Sequence, residues 1–292
     1  VADRRRLVYV DDGVPESGTR FLRTSCEERG VDFVPVDPRG FRFRPESQLD
    51  AGDLLYRPAV SLLAQRVEQF LYAPGVATFY AADDGIYFGA LNPTLTFQRA
   101  GLPVPRTIPA LSADKEALAD FAGRLGGFPL VFKVPGYSLG TGVGRVDSLP
   151  SLYSFVDLTL ALGKTPVLMA YVPEAVHWRL VVVGDRVAAS YRNLLPPDDI
   201  RSNASSDPAD YAAAPPPGME EIAVRSTHAL HLEFGGVDIV EHPPSGRMYI
   251  LENNFPCYFA QAQDVAGVDV SGAMVDHLLR KAERLDGGRA LP

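Results

Sequence analysis

Cysteine is nearly absent from this chain. Its 292 residues include only Cys26 and Cys257, too few for a disulfide framework or a cysteine-based zinc cluster, which fits a reducing cytoplasm. Long apolar runs are missing as well. No stretch of about 18 apolar residues occurs, so no membrane-spanning helix is expected. The opening VADRRRLVYVDDG is basic but meets Asp11 and Asp12 before any long apolar segment, which argues against a secretory signal. There is no excess of positive charge. The formal net charge is −8, which speaks against an extended basic face for duplex nucleic acid. Lysine is scarce among the basic residues, four of 28 (Lys115, Lys133, Lys164 and Lys281), so a lysine inside an apolar strand calls for an explanation. What is present is an ordinary globular mixture, 46% hydrophobic and 22% charged, in a chain long enough for two or three lobes.

The segment RLVYV (6–10) reads as a strand before the turn DDG, TRFLRTSCEERG as a helix stopping at Gly30, and VDFVPVD as the next strand. That order predicts an open parallel sheet, continued by the strand DLLYR (53–57) and a helix over 62–75. The first lobe, 1–95, is expected to close there. A small α+β lobe, 96–172, follows. It contains a helix over 93–102 at its edge, the connector LPVPRT, and the helix KEALADFAGRLGG (115–127). Two strand-like segments, FPLVFKVP and GVGRVD, flank a glycine-rich loop before a helix over 151–163 and the strand PVLMAYV (166–172). The third block, 173–292, opens with a hairpin over 177–193 turning at Gly184-Asp185. Residues 196–218, rich in Pro, Ala, Ser and Asp, read as a mobile loop. A helix over 219–234, a second hairpin (GGVDIVEH and RMYILENN joined by PPSG) and a last helix near 271–285 complete the chain. The fold class is α/β, with an N-terminal open parallel sheet followed by two α+β lobes.

The stretch YILENNFP carries the clearest chemistry. Side chains on a strand alternate faces, so Glu252 and Asn254 share one, and Asp238 on the partner strand can point the same way. Two carboxylates and an amide oxygen are hard donors that suit magnesium beside a phosphate-bearing substrate. A merely solvated polar hairpin fits poorly with the surrounding Ile239, Val240, Ile250 and Leu251. The loop GYSLGTGVG (136–144) can cradle phosphates with backbone amides, although such a loop is also an ordinary turn. It is no dinucleotide fingerprint, because GRVDS continues extended where a helix would be needed. Lys133 stands within the apolar LVFKVP and needs an anion there. Four other features are set aside. Gly163-Lys164-Thr165 lacks the first glycine of a P-loop, with Leu158 in its place, and Pro166 follows instead of a helix. His228 and His231 lack a third ligand nearby. Asn203-Ala204-Ser205 is a glycosylation sequon without any sign of secretion. Cys257, beside Pro256, reads as a small packed residue rather than a nucleophile.

These pieces occur in the order found in the ATP-grasp superfamily, and the chain resembles the RimK-like branch of amino-acid ligases. The resemblance runs through LPVPRT (102–107), FPLVFK (128–133), the loop 136–144 and PVLMAYVPE (166–174). It continues through HWRLVVVGDRVAASYR (177–192), RSN (201–203), GGVDIV (235–240) and LENNFP (251–256). It implies an ATP-grasp fold in which two α+β lobes sandwich ATP, with ATP and magnesium as cofactors. Lys133 is then expected at the ATP phosphates, with Ser138, Gly140 and Gly142 in a flap over them that runs to Gly144. Met169, Ala170, Tyr171 and Val172 would line the adenine with backbone groups, and Glu174 would reach the ribose. Asp238, Glu252 and Asn254 would hold magnesium. Arg179, Arg192, Arg201 and Asn203 match positions near the transferred phosphate and the acyl group.

The resemblance has departures. The family's early lysine is missing from GALNPTLTFQRAG, where Ala90 or Asn92 stands near the place; Trp178 replaces an Asp, and Cys257 replaces a common Gly. The implied function is an ATP-dependent carbon–nitrogen ligase that works through an acyl phosphate on a small amino-acid-like substrate, with no nucleic-acid or membrane partner. Among small-molecule members, the compact length and absent early lysine point to an antibiotic-pathway cyclo-ligase making D-cycloserine. An intermolecular amino-acid or peptide ligase, a phosphotransferase and a non-catalytic nucleotide-binding scaffold are the alternatives. The oligomeric state stays open, a homodimer included.

Overall fold

Three sheets follow one another along the chain. The computed structural model describes residues 5–82, 85–86, 92–136 and 140–288. The first sheet is parallel, with β1 (Arg6–Val10) between β2 (Asp32–Val36) and β3 (Leu54–Tyr56). The helices between these strands show the expected spacing: α1 (Glu16–Glu28) buries Leu22 and Cys26, and α2 (Leu62–Leu71) buries Ala64, Val67 and Leu71, one stripe on each. Past the end of β1, Asp11 closes its own turn, accepting from the backbone N–H groups of Gly13 and Val14.

The second sheet is antiparallel, in the order β4 (Thr107–Ile108), β7 (Val167–Ala170), β5 (Leu130–Lys133), β6 (Val143–Val146). The helices α4 (Lys115–Leu125) and α5 (Leu149–Ala161) cover one face. Leu130, Phe132 and Leu168 point into that core, against Leu118 and Leu152. Alternation therefore leaves Val131, Lys133 and Met169 for the other face.

The third sheet, also antiparallel, runs β10 (Asn203–Ala204), β9 (Arg186–Leu194), β8 (Val176–Val183), β11 (Phe234–His242), β12 (Arg247–Asn254). Its back face buries Trp178, Leu180, Val182, Val237 and Ile239 against Met219 and Ala223 of α7 (Met219–Ala229) and Phe97 of α3 (Pro93–Arg99). Its front face places Val181, Val183 and Phe234 in a core shared with Leu7, Leu54 and Met274. Those partners come from β1, β3 and α9 (Val270–Gly288). The first and third sheets are thus joined through α9, and Ser25 of α1 meets Ser271 of α9 in a buried hydrogen bond of 2.7 Å. Beyond this shared core the front face continues as the floor of a cleft.

Three details depart from the sequence reading. The helix expected over 219–234 ends at Ala229, and His231 takes a left-handed φ of +58° that turns the chain into β11. A short helix, α8 (Ala260–Ala266), had no strong sequence signal at seven residues. The segment read as a mobile loop, 196–218, contains β10 and α6 (Pro208–Ala212). It is anchored by Tyr211, which stacks on Tyr191 at 4.6 Å between ring centroids and donates its hydroxyl to the Ser205 carbonyl at 2.8 Å.

Candidate active site

The cleft lies between the second and third sheets and has a volume of about 340 Å³, within the ~300–1,000 Å³ of small-molecule sites. Alternation builds its floor. On β8, Trp178 and Leu180 take the back core, so His177 and Arg179 face the cleft. Tyr191 and Asn193 on β9, and Asp238 and Val240 on β11, do the same. The pairing register then sets Tyr191, Arg179, Asp238 and Glu252 side by side across four strands.

Strand β12 departs from simple alternation. Asp238 pairs with Glu252 but Ile239 pairs with Ile250, so Leu251 is an extra, bulged residue. Without the bulge, Ile250 and Glu252 would share a face. With it, Ile250 enters the back core at 1% exposure while Glu252 and Asn254 line the cleft. Asn253 between them is buried, its amide donating to Ser226 at 3.2 Å and Thr227 at 3.0 Å. The bulged Leu251 presents its carbonyl to Lys133, whose Nζ lies 3.5 Å away.

The electrostatics follow from this crowding. Arg179 Nη1 donates to Asp238 Oδ2 at 2.7 Å, and Asn254 Nδ2 approaches the same oxygen at 3.5 Å. Burial alone would weaken the charged guanidinium, but Asp238 outweighs it and Arg179 is held above the ordinary arginine range. The guanidinium lies across Gly236, where an added Cβ would sit 2.7 Å from Arg179 Nε, so only glycine leaves room for it. Burial pulls the Lys133 ammonium below the ordinary lysine range, against the opposing pull of Glu252 and Asp238. Cys257 packs beneath Arg179, and burial pushes its thiol up to about 12. Burial thus favours the neutral thiol over a thiolate nucleophile. Burial likewise lowers the His177 imidazole, whose Nδ1 is 3.1 Å from Ser202 Oγ.

Most of the residues singled out in the sequence meet here. Lys133, Gly140, Arg179, Arg201 and Asn203 line the cleft with Asp238, Glu252 and Asn254. Met169, Ala170, Tyr171 and Val172 form one wall, and the chain leaves the sheet after Ala170. Arg192 does not join them. It pairs in register with Trp178 on the opposite face of the sheet and forms an ion pair with Asp210 at 3.1 Å. Glu174 is exposed with φ +51° beside the cleft residue Ala175. Gly142 closes the base of the β5–β6 turn, its carbonyl accepting from Val134 N–H at 2.8 Å. Ser138 and Ala90 lie outside the described residues. Asn92 caps α3, accepting from Leu95 N–H. His228 lies outside the cleft, its Nε2 3.1 Å from the Gly184 carbonyl and 3.5 Å from Asp185 Oδ1. Among the described residues no three His, Cys, Asp or Glu side chains converge. A cation in this cleft would therefore rely on two carboxylates and the Asn254 amide oxygen.

Several cleft residues were not anticipated. His177, Tyr191 and Asn193 were within reach of the alternation on β8 and β9, because Arg179 faces the cleft and each lies on the same face in register. Tyr258, whose hydroxyl meets Ser17 Oγ of α1 at 3.1 Å, follows β12 in an irregular segment and carried no periodic signal.

A family model for a RimK-like ATP-grasp domain matches residues 94–278. The glutamate–LysW ligase ArgX of Sulfurisphaera tokodaii is 25% identical over 285 residues, 94% of this chain and 98% of its own length. A probable alpha-L-glutamate ligase of Xanthomonas oryzae pv. oryzae is 30% identical over 186 residues, 63% of this chain and 62% of its own. The match thus spans less than two thirds of that relative. Among solved structures, D-cycloserine synthetase DcsG superposes with a TM-score of 0.71, covering 96% of this chain and 99% of its own at 18% identity. A likeness at that identity is one of fold. No helix among the described residues is long and apolar enough to cross a membrane.

Proposed function

The chain belongs to the RimK-like ATP-grasp family and is an ATP-dependent ligase; from this premise we propose that it joins the carboxylate of a small amino-acid-like substrate to an amine through an acyl phosphate, releasing ADP and phosphate. The observation that carries this reading is the row Arg179, Asp238, Glu252 with Lys133 opposite, cations and carboxylates facing one cleft between two sheets. Such a set matches a triphosphate with its counter-ion. Relatives' names specify glutamate as a substrate, in one case joined to LysW and in another to ribosomal protein bS6, so an amino acid is the first substrate class to try here.

Asp238, Glu252 and Asn254 would hold magnesium. They fit it because their oxygens are hard donors on one face, and because the Glu252 carboxylate, lining the cleft, accepts no hydrogen bond from any described residue. Bound there, the ion supplies positive charge against the triphosphate. Lys133 adds its ammonium from the opposite sheet, which favours transfer of the γ-phosphate to the substrate carboxylate as charge spreads over its oxygens. Gly140 and Val143, with Leu195 and residues 200–204, line the cleft and would keep water from the acyl phosphate, and Arg201 and Asn203 grip the acyl group as the amine attacks and phosphate leaves. Arg192 has no part in this step, since it faces the other side of the sheet.

The finer form of the reading puts the acid and the attacking nitrogen in one molecule, as in O-ureido-serine. Its O–NH nitrogen would displace phosphate from the acyl phosphate to close the ring, the carbamoyl group then leaving by hydrolysis as carbon dioxide and ammonia to give D-cycloserine. The missing early lysine favours this form. The test is ADP release from ATP and magnesium across a panel of D- and L-amino acids and O-ureido-serine, each alone and in pairs. ADP formed with one compound alone supports cyclisation. A strict need for two compounds refutes cyclisation and leaves the ligase. Phosphorylated product accumulating without any amine refutes the ligase in favour of a phosphotransferase.

A further inference from the structure

Arg201 is held unusually firmly for an exposed side chain. Its Nε lies 2.9 Å from both carboxylate oxygens of Asp199, its Nη2 donates to Oδ2 at 2.6 Å, and its backbone N–H donates to Oδ1 at 3.0 Å. On the other side its aliphatic stem lies against Gly140 of the glycine-rich segment. A Cβ there would come within 3.0 Å of Arg201 Cδ, and Gly140 has φ +73°. Arg201 Nη1 has no hydrogen-bond partner among the described residues, while Arg201 and Gly140 both line the cleft.

We infer that Asp199 is a positioning residue for the ligase reaction, aiming Arg201 into the cleft while Gly140 seats its stem. The inference rests on the proposed reaction, in which Arg201 grips the acyl group. Three observations separate this pair from an ordinary surface ion pair. Exposed pairs contribute little to stability, so the fold does not need one here. The forked geometry engages the Nε and Nη2 edge and leaves Nη1 as the donor for a bound substrate. The stem also lies against Gly140, remote in sequence, so orienting Arg201 ties together two parts of the chain that line the cleft. Loss of Asp199 would leave the arginine present but unaimed, and a misplacement of about 1 Å can cost on the order of 100-fold in rate.

The test compares wild type with Asp199→Ala, Asp199→Glu and Gly140→Ala in two assays. The first measures ADP and hydroxamate formation from ATP, magnesium, hydroxylamine and an equimolar pool of amino acids with O-ureido-serine. Asp199→Ala is expected to lower kcat about tenfold or more, with KM for ATP within twofold and Tm unchanged; Asp199→Glu should recover part of kcat. The second measures tryptic cleavage of the Arg201–Ser202 bond, which needs no substrate. It should be several-fold faster in Asp199→Ala and Gly140→Ala than in wild type. Wild-type kcat in Asp199→Ala overturns the inference and leaves the ligase reading intact. A wild-type protein that forms no ADP in the first assay counts against the ligase reading itself. Unchanged cleavage in Asp199→Ala then overturns the clamp on its own.

Discussion

Gly236→Ala separates folding from chemistry. The added Cβ would sit 2.7 Å from Arg179 Nε, closer than atoms settle without moving. What must move is the tip of a long side chain rather than backbone, so the sheet itself can stay as it is. The displaced guanidinium loses its 2.7 Å bond to Asp238, a pair whose side chains are 12% and 26% exposed. A charge-assisted hydrogen bond contributes about 1.5–3 kcal/mol, and the partial exposure of Asp238 reduces that to roughly 1–2 kcal/mol. At about 2–4 °C per kcal/mol for a chain of this size class, Tm should fall by roughly 2–8 °C. The loss of activity should be far larger. Arg179 and Asp238 stand in the middle of the row that meets the phosphates, and a displacement of about 1 Å there can cost on the order of 100-fold. Thermal unfolding by circular dichroism and steady-state ADP release report the two effects separately. Near-wild-type turnover in Gly236→Ala would refute the claim that Arg179 must lie across residue 236, and a protein that fails to fold would refute the claim that only a side-chain tip moves.

Three further outcomes follow from the same structure. Glu68→Ala strands Arg57 in the core, since these side chains are 3% and 7% exposed and meet at 2.7 Å; it should lose about 3–5 kcal/mol in urea unfolding, and a loss below about 1 kcal/mol would show that water reaches the pair. Burial would raise the Glu233 carboxyl, but His277 at 3.0 Å and Lys281 at 2.7 Å outweigh that and hold it below its ordinary 4.5. Its contribution to stability is therefore present above the ordinary carboxylate pKa and is lost as pH falls through the lower folded value; Glu233→Gln should flatten that acid limb, and an unchanged pH profile of Tm would contradict the assignment. Lys133→Met should raise the apparent KM for ATP by about tenfold or more, the size of one charged contact, and unchanged ATP binding by calorimetry would remove Lys133 from the phosphate site.

The parts of the site legible in the sequence are those governed by a local rule. Period two on β11 and β12 brought Asp238, Glu252 and Asn254 together, and the bulge at Leu251 did not spoil this because all three lie beyond it. Reading further back along the same strand would have put Ile250 in the cleft, where the bulge forbids it. Arg192 was grouped with the site through resemblance. The alternation beside Arg179 argued otherwise, since Trp178 belongs to the back core and Arg192 is its register partner. The anchoring of 196–218 was not legible: its composition signals a loop, and the stack of Tyr211 on Tyr191 is a tertiary contact. Nor could spacing reveal that Arg57 and Glu68 form a buried pair, because it depends on β3 and α2 meeting around Tyr80, whose hydroxyl donates to Glu68 at 3.1 Å.

The most direct test follows one oxygen atom. The acid identified in the amino-acid panel is labelled with ¹⁸O in its carboxylate and turned over with ATP and magnesium, and the phosphorus products are resolved by ³¹P NMR. An acyl phosphate requires one labelled oxygen in the released orthophosphate, with ADP as the only nucleotide product. Unlabelled orthophosphate, or AMP with pyrophosphate, would contradict the account.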